Sequence, residues 1–337
     1  MKHTHKNTVF LTGATGLVGS YLLKILLKNG HKVYVLARSK DNKKGKERVV
    51  EMLNFWDKKT HHKFRKKLVV IEGDITEENL GLKKTDLARL KNETEEIFHC
   101  AAAITFNLSL KVLNKINVDG TRNVLNFSVN CLNLKKANHL STAYVCGDYT
   151  GIFTERNLNV GQKFNSNYEQ SKFKSEKLAH AYRRKGVWID IYRPPLIMGE
   201  SKSGKNLQFK HVFQLIQLCS FDLFQSLPLK NAQINVVPVD QLCNFIYRKS
   251  SKSNDRNKTY HAFSKKVISC QQVLTIAARI TKATIPKLVD APSFNFNTLT
   301  PIQMMLLKNN FLAINPLARL QGNSAPEFKN FSILPMI

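Results

Sequence analysis

The feature that most constrains this chain is a glycine-rich segment near its beginning, TVFLTGATGLVG. The apolar residues before its first glycine are typical of a buried strand. After its last glycine, leucines recur at helical spacing until Gly30, which suits the end of a helix. A strand, a glycine turn and a helix in this order predict the first unit of a dinucleotide-binding βαβ fold.

The three glycines of this segment suit a turn that carries a pyrophosphate. Gly13 allows the tight turn, Gly16 lets the backbone approach the phosphates, and Gly19 lets the helix pack closely on the strand. The free N–H groups and positive dipole end of the helix then face the phosphates. The spacing is GxxGxxG and not the more common GxGxxG, so this motif alone leaves a turn without a ligand as the alternative.

Apolar runs and helical patterns alternate over the first 145 residues. Further strands are predicted at residues 32–38, 68–71, 97–103 and 137–145, and helices at residues 47–67 and 116–125. This alternation predicts an α/β fold of the Rossmann type, a doubly wound parallel sheet with helices on both faces.

Length and composition agree with a globular protein of one large domain or slightly more. The chain has 337 residues, of which 43% are hydrophobic and 23% charged. Its six cysteines form no CxxC pair, which favours a reducing compartment. We see no apolar leader and no apolar run of about 18 residues. We therefore expect a cytoplasmic protein without a signal peptide or spanning helix.

The chain is strongly basic, with 52 Lys and Arg against 24 Asp and Glu and a net charge of +28. Such a surface attracts polyanions, among them phosphorylated cofactors, anionic lipid and acidic carrier proteins, although a general lysine bias gives the same count. No zinc finger, RNA-recognition signature or basic zipper accompanies the charge, so we expect no specific nucleic-acid binding. His61 and His62 lack acidic or cysteine neighbours at ligand spacing, and we predict no metal site.

Residues at the predicted strand ends indicate which dinucleotide binds. Arg38 stands where an acidic residue would favour NAD, and an arginine there suits the 2′-phosphate of NADP. Arg48 is either a second phosphate contact or a solvated helix residue. Asp74 either bonds the adenine amino group or caps a helix. The small side chains of Ala101 and Ala102 let a dinucleotide lie close to the backbone.

A tyrosine and a lysine four residues apart, Tyr168 and Lys172 in YEQSK, carry the candidate chemistry. Their spacing places them on one helix face. A lysine charge favours the phenolate, so we expect the pKa of Tyr168 to lie below its ordinary value near 10. The pair could then exchange a proton with a reacting oxygen. Thr142 or Ser141, at the end of the fifth strand, would hold that oxygen.

At these residues the sequence resembles the extended short-chain dehydrogenase/reductase superfamily, in which GxxGxxG is the usual fingerprint. The passages that carry the likeness are TGATGLVG, GDI, CAAA, STAYV, YEQSK and YRPPLIMG. A narrower likeness, through IFHCAAAITFN, NVDGTRNVLNF and INVVPVDQLCNFI, is to its thioester reductase and fatty acyl-CoA reductase branch, of the male sterility type. The likeness covers about residues 8–285.

The resemblance implies a role for each matching residue. The residues implied to hold the pyrophosphate are Gly13, Thr15, Gly16, Leu17, Val18 and Gly19. Those implied to contact the rest of an NADP(H) cofactor are Arg38, Arg48, Asp74, Ile75, Ala101, Ala102 and Asn117. Thr142 is implied to bind the carbonyl, Tyr168 to donate the proton, and Lys172 to bond the nicotinamide ribose and tune Tyr168. Pro195 departs from the glycine or serine of many members, and Cys146 also departs from the usual residue.

The implied reaction is reduction of an acyl thioester by NADPH to an aldehyde or alcohol, a step of lipid metabolism. The donor is acyl-CoA or an acidic acyl carrier protein, either of which suits the basic surface. Two alternatives stay open: an extended reductase or epimerase acting on a sugar nucleotide, ketone or sterol-like alcohol, and a non-catalytic NADP-binding sensor. The sequence leaves monomer and homodimer equally open.

The chain is predicted to divide into an NADP-binding domain at residues 1–193 and a smaller substrate-binding region at residues 194–337, interleaved with the first. A strand is predicted at residues 234–239, with helices at residues 241–249 and 269–281. An apolar helix is predicted from Thr300 to about residue 311. We favour core packing for it, with an acyl-tunnel lid or membrane contact without spanning as alternatives. Residues 321–337 are predicted to be a loose tail.

Overall fold

The computed structural model describes residues 6–105, 108–207, 213, 216, 223–252, 256–264, 267–290 and 293–304. The strands of this part are β1 Thr8–Thr12, β2 Lys32–Ala37, β3 Leu68–Glu72, β4 Glu96–His99, β5 Lys136–Leu140, β6 Ile189–Arg193, β7 Leu196–Met198, β8 Ser226–Leu227, β9 Gln233–Ile234, β10 Val236–Pro238, β11 Thr259–His261, β12 Ile268–Ser269 and β13 Lys287–Leu288. Its helices are α1 Leu17–Lys28, α2 Gly45–Trp56, α3 Lys58–Phe64, α4 Lys84–Glu93, α5 Leu110–Leu113, α6 Gly120–Val129, α7 Asn167–Arg184, α8 Val239–Ser250 and α9 Cys270–Thr281.

Seven strands form one parallel sheet in the order β11-β6-β5-β4-β1-β2-β3. The chain builds outward from β1 to β3, then crosses back to β4 on the other side of β1. Helices cover both faces, so the predicted doubly wound α/β fold is confirmed. Ligands of such sheets bind outside the carboxyl ends of the strands, at the point where the strand order reverses. That point lies here between β1 and β4.

The strands are apolar because both faces of the sheet are buried. Side chains of β1 alternate between the two faces: Val9 and Leu11 join the core under α1 and α8, whereas Phe10 joins the core under α6 and α7. A third apolar cluster unites Leu196, Val236, Leu274 and their neighbours. Residues beyond 193 therefore build this separate core and also return β11 and α8 to the main sheet.

Several predicted elements have different limits in the structure. The single helix expected over residues 47–67 is wrong: Asp57 adopts an extended φ of −164° and divides the segment into α2 and α3. The Asp57 carboxylate accepts a hydrogen bond from the Lys59 N–H (3.0 Å) and pairs with Lys28 (2.6 Å). Asp at a helix N-cap satisfies an N–H that the helix leaves open, so Asp57 starts a new helix.

Further differences concern segments that lead into the site. The helix expected to start at residue 116 begins earlier, at Leu110, where Ser109 accepts from the Val112 N–H; its middle, Asn114–Asp119, is π-helical. The strands expected over residues 97–103 and 137–145 end at His99 and Leu140. The Thr142 side chain then caps a single 3-10 turn, Ala143–Cys146, which takes the chain away from the sheet.

In the C-terminal part, α8 and α9 lie where helices are predicted, and Ser269 caps α9 through Gln272. The expected strand at residues 234–239 is divided into β9 and β10. Thr300 caps a helix that begins at residue 301, as predicted, by accepting from the Gln303 N–H (3.3 Å). Residues 305–311 and 321–337, on which the lid and tail predictions depend, lie outside the described residues.

Candidate active site

The glycine turn between β1 and α1 forms a cradle that tolerates no side chain at two of its positions. Gly13 has a φ of +79°, and a Cβ there would lie 2.5 Å from the backbone nitrogen of Ala101. A Cβ at Gly19 would collide with the carbonyl oxygen of Gly13. The turn therefore packs backbone against backbone, as a close approach to a pyrophosphate requires.

The N-terminus of α1 is suited to an anion. Gly16 occupies the N-cap in an extended conformation, no side chain caps the helix, and its first turn contains no acidic residue. The first N–H groups of a helix carry the positive end of its dipole, so this end offers donors to a phosphate. Thr15 lines the first of two cavities beside this turn, and Leu17 and Val18 line the second. These residues fit the pyrophosphate of a nicotinamide dinucleotide.

One cavity of about 210 Å³ extends from the cradle over the carboxyl ends of β1, β2 and β4. Among its lining residues are the predicted contacts Gly13, Thr15, Gly16, Arg38, Arg48, Asp74, Ile75, Ala101 and Ala102. The structure thus brings residues predicted for the pyrophosphate, the 2′-phosphate, the adenine and the cofactor floor to one place.

Two arginines lie at the rim of this cavity beyond β2. Arg38 is exposed and its Nη1 donates to Oδ2 of Asp74 (3.0 Å), while Nη1 of Arg48 donates to the carbonyl oxygen of Arg38 (2.7 Å). Burial alone would raise the pKa of Asp74, but hydrogen bonds from Thr76 and Arg38 outweigh it and lower that pKa. The Asp74 carboxylate is therefore charged and holds Arg38, a role that the sequence did not predict.

A second cavity of about 220 Å³ adjoins the first and shares the glycine turn, Cys100 and Ala102 with it. Its lining includes the three predicted catalytic residues, Thr142, Tyr168 and Lys172, together with Leu17, Val18 and Gly19 of the cradle. Residues that the sequence reasoning did not assign to the site complete the wall: Ile104, Tyr144, Pro194, Leu196 and Ile197. The motif YRPPLIMG contains three of them, and its apolar character was the available signal.

Tyr168 and Thr142 are hydrogen-bonded to each other through their side chains. The expectation that a neighbouring lysine lowers the Tyr168 pKa is wrong: burial raises the pKa of Tyr168 to about 12, and the hydrogen bond with Thr142 offsets only part of this. Burial penalises the charged phenolate, and the nearby Glu169 carboxylate raises the pKa of Tyr168 further. Tyr168 is therefore a protonated donor over the neutral pH range.

Lys172 lies one helical turn beyond Tyr168 and is 3% exposed. Its Nζ donates to the carbonyl oxygen of Leu140 (2.7 Å), at the end of β5. Burial lowers the pKa of Lys172 to about 8, although the Glu176 carboxylate counteracts part of the shift. Lys172 is thus held by the backbone, and its charge is titratable close to neutral pH.

Ser141 is buried, and its hydroxyl donates to Oε2 of Glu176 (2.5 Å). Glu176 is itself paired with Arg193, whose Nε lies 3.0 Å from Oε1; both side chains are 0% exposed. The Ser141 hydroxyl is therefore committed to a structural cluster. Thr142, next along the chain, lines the second cavity; its hydroxyl lies 3.4 Å from the Pro194 carbonyl oxygen and accepts from the Tyr144 N–H at 3.4 Å.

Within the part of the chain that the structure describes, Asn117 lines neither cavity. Its Oδ1 accepts from the Ala103 N–H (2.7 Å), and its Nδ2 donates to the Ala103 carbonyl (3.0 Å) and to Oγ of Ser171 (2.9 Å). Asn117 thus fixes the segment after β4 against α7, and the cofactor contact that the resemblance implies for it stays a prediction.

The sequence matches known proteins along most of its length. A family model described as "Male sterility protein" matches residues 11–246. Fatty acyl-CoA reductase 1 of Homo sapiens is 38% identical over 143 residues, which cover 40% of this chain and 28% of the relative. Fatty acyl-CoA reductase 1 of Arabidopsis thaliana is 32% identical over 177 residues, which cover 48% of this chain and 36% of the relative. The aldehyde reductase lnbA of Aspergillus flavus is 28% identical over 270 residues, which cover 75% of this chain and 26% of the relative. The match thus spans about a quarter to a third of these relatives' lengths.

Solved structures show the same architecture. The terminal R domain from the myxalamid PKS-NRPS biosynthetic pathway superposes with a TM-score of 0.74 at 25% identity, over 81% of this chain and 70% of that one. A thiolation-reductase di-domain from an archaeal non-ribosomal peptide synthetase superposes with a TM-score of 0.75 at 21% identity, over 91% of this chain and 67% of that one. The UDP-glucuronic acid 4-epimerase of Bacillus cereus, in complex with NAD, superposes with a TM-score of 0.65 at 19% identity, over 84% of this chain and 85% of that one. The last two likenesses show the fold alone. Across the described residues, no helix is long and apolar enough to cross a membrane.

Proposed function

Because the chain belongs to the male sterility protein family of extended short-chain dehydrogenase/reductases, we propose that it is an NADPH-dependent reductase of acyl thioesters. The observation that carries the proposal is that Thr142, Tyr168 and Lys172 meet in one cavity that opens onto the glycine cradle. A carbonyl group in this cavity would lie beside a hydroxyl pair and a buried cation. The fatty acyl-CoA reductases among the relatives support the choice of thioester over other carbonyl compounds.

The bound nicotinamide would supply the hydride; the protein supplies position and charge. The carbonyl oxygen would replace the hydrogen bond between Thr142 and Tyr168, and both hydroxyls would then donate to that oxygen, where negative charge develops. Tyr168 is protonated at neutral pH, so it is ready to give its proton to that oxygen. The Lys172 ammonium, fixed by the Leu140 carbonyl, would stabilise the same charge from within the protein.

The wall beyond the hydroxyl pair favours an apolar acyl chain. Pro195 and Leu196 are buried, and with Ile104, Tyr144 and Ile197 they contribute apolar surface to the wall of the second cavity. Ligand sites combine such apolar walls with a few polar groups that fix orientation. A sugar nucleotide would need hydrogen-bond partners where these residues offer carbon, so we place the acyl chain here.

The experiment that tests this function measures NADPH oxidation by purified protein offered medium-chain acyl-CoA, long-chain acyl-CoA or an acylated carrier protein, with aldehyde and alcohol assayed as products. We expect oxidation that depends on the acyl donor. Turnover of a UDP-sugar or an alcohol with NADP⁺, and none of any thioester, would support the broader reductase class instead. Tight NADPH binding without turnover of any of these compounds would support the non-catalytic sensor.

Cofactor choice gives a prediction at Arg38. Arg38→Ala is expected to weaken NADPH binding about 10- to 100-fold, because a charge-assisted contact to the 2′-phosphate is lost. NADH affinity should change little. Both affinities can be measured by nicotinamide fluorescence titration. Arg89, an exposed arginine paired with Asp86 (2.6 Å) away from both cavities, gives the matched control Arg89→Ala. Equal loss of NADH and NADPH affinity in Arg38→Ala would contradict a 2′-phosphate contact.

The pKa of Lys172, about 8, predicts the pH dependence of reduction. Below pH 8 Lys172 is charged and Tyr168 is protonated, so both stabilise the oxyanion. As the pH rises through 8, Lys172 loses its proton, whereas Tyr168, with a pKa of about 12, keeps its own. We expect kcat for NADPH oxidation to fall above pH 8 when measured at saturating substrate. A rate that rises steadily from pH 8 to 10 would exclude this role for Lys172.

A further inference from the structure

A buried histidine outside both cavities, His99 at the end of β4, joins two threonines from different elements. Its Nδ1 lies 2.8 Å from Oγ1 of Thr12, the last residue of β1, and its Nε2 lies 3.0 Å from Oγ1 of Thr121 in α6. His99 is 4% exposed, and both threonines are fully buried. His99 stands in the IFHCAAAITFN passage, where the sequence predicted no role for it, and the proposed chemistry does not use it.

The neighbouring hydrogen bonds fix the direction of every proton in this arrangement. Thr121 donates its hydroxyl proton to the carbonyl oxygen of Asn117 (2.6 Å), so it must accept from Nε2–H of His99. Nδ1 of His99 is then the acceptor, and Thr12 donates to it. Thr12 Oγ1 in turn accepts the N–H of Ala101 (3.3 Å). Burial, together with the Lys172 charge, lowers the pKa of His99 to about 3, so this tautomer is neutral and persistent.

The two ends of this chain of hydrogen bonds lie at the two halves of the site. At one end, Ala101 forms the floor of the first cavity against Gly13. At the other end, Asn117 clamps Ala103 and donates to Ser171, whose hydroxyl donates to the carbonyl oxygen of Tyr168 (2.8 Å). This series of hydrogen bonds therefore connects β1, the strand before the glycine turn, with α7, the helix that carries the candidate proton donor.

We propose that His99 is a positioning residue that sets the cofactor floor at Ala101 and the catalytic helix at Tyr168 in one fixed relation. Each ring nitrogen of His99 begins one series of hydrogen bonds, which we call the Nδ1 arm and the Nε2 arm. The Nδ1 arm, through Thr12, holds the Ala101 N–H, and the Nε2 arm, through Thr121, holds the Asn117 clamp. The claim about Ala101 concerns dinucleotide binding alone, whereas the claim about Tyr168 rests on the proposed function.

Two substitutions at His99 separate the arms. In His99→Asn, the amide oxygen can replace Nδ1 and keep the bond from Thr12, but the bond to Thr121 is lost. In His99→Gln, the longer side chain can donate to Thr121 in place of Nε2, but the bond from Thr12 is lost. NADPH affinity, the thermal midpoint Tm and kcat are measured for both. We expect NADPH affinity to fall about tenfold in His99→Gln and within about threefold in His99→Asn. We expect kcat to fall more in His99→Asn.

Substitutions with matched controls keep the test independent of any one variant's folding. Thr121→Val is expected to lower kcat as His99→Asn does, because the bond from His99 to Thr121 is lost in both. Thr121→Ser keeps the hydroxyl and is expected to behave like the wild-type protein. The control for a buried threonine is Thr94→Val, because Thr94 is 0% exposed and its hydroxyl has no hydrogen-bond partner among the described residues. The control for a buried histidine is His31→Asn: His31 is 4% exposed, both of its ring nitrogens are hydrogen-bonded, to the Asn7 N–H and the Tyr247 hydroxyl, and it lines neither cavity.

The outcomes separate a positioning role from a purely structural one. A lower Tm in both His99 variants, with equal NADPH affinity well below Tm, would reduce His99 to a structural residue. Tighter NADPH binding by His99→Gln than by His99→Asn would overturn the assignment of the arms. If the wild-type protein reduces no thioester, the proposed function fails, yet the order of the two NADPH affinities still decides the claim about Ala101.

Discussion

Tyr168→Phe is expected to lower kcat for acyl-dependent NADPH oxidation by about 10²- to 10⁴-fold, the usual contribution of a positioned general acid. The substitution removes only the hydroxyl that is hydrogen-bonded to Thr142 at the wall of the second cavity. The ring keeps its packing, and the cradle that holds the dinucleotide is untouched. NADPH affinity, followed by fluorescence titration, should therefore stay within about threefold of the wild-type value.

A tyrosine on the same helix provides the control. Tyr182 lies in the last turns of α7, its hydroxyl donates to Asn126 of α6, and neither residue lines either cavity. Tyr182→Phe removes a hydroxyl from the same element without touching the site, so kcat should change by less than about threefold. A Tyr168→Phe variant that keeps wild-type kcat would show that the proton comes from another group.

The largest effect on stability is expected at the ion pair between Glu176 and Arg193. Both side chains are 0% exposed, and the Arg193 guanidinium also donates to the carbonyl oxygens of Thr154 (3.3 Å) and Asn157 (2.7 Å). Burial alone would raise the Glu176 pKa, but Arg193, His180 and Ser141 outweigh it and hold that pKa well below its ordinary range. Glu176 is therefore charged at neutral pH, and the pair keeps its contribution until the medium is strongly acidic.

Glu176→Gln leaves the Arg193 charge buried without its counterion. Breaking a buried pair in this way costs about 3–5 kcal/mol of unfolding free energy, which lowers Tm by on the order of 10 °C. The double variant Glu176→Leu with Arg193→Met should lose less, because no charge is left unpaired. Tm can be measured by differential scanning calorimetry.

An exposed pair sets the scale for this comparison. Lys230 and Asp290 lie 2.7 Å apart with about half of each side chain in solvent. Asp290→Asn should change the unfolding free energy by less than about 1 kcal/mol. A Tm for Glu176→Gln that matches the Tm of Asp290→Asn would contradict the account of the buried pair.

The sequence predicted those parts of the fold and site that depend on local spacing. The glycine turn, the strand–helix alternation and the face shared by Tyr168 and Lys172 are set by residues within a few positions of each other. The predicted cofactor contacts from Gly13 to Ala102 line the cavities because each follows a predicted strand, and the carboxyl ends of parallel strands meet at one edge of the sheet.

What the sequence did not predict depends on contacts between residues distant in the chain or on burial. The Tyr168 pKa was misjudged because the sequence gives the neighbouring charge but not the loss of solvent, and the loss of solvent has the larger effect. The bond from Ser141 to Glu176 spans 35 residues, and the bond from His99 to Thr12 spans 87. The break at Asp57 was readable as an N-cap but was hidden in a long charged segment.

The central claim, that this site transfers a hydride to the carbonyl carbon of an acyl thioester, is tested most directly by isotope transfer. The protein is incubated with NADPH deuterated at C4 of the nicotinamide on the transferred face, together with a long-chain acyl-CoA and, separately, an acylated carrier protein. The product is analysed by mass spectrometry. We predict one deuterium at C1 of the aldehyde, or two at C1 if reduction continues to the alcohol, with no transfer in Tyr168→Phe on the same timescale. Loss of NADPH without deuterium in any acyl product would contradict the claim.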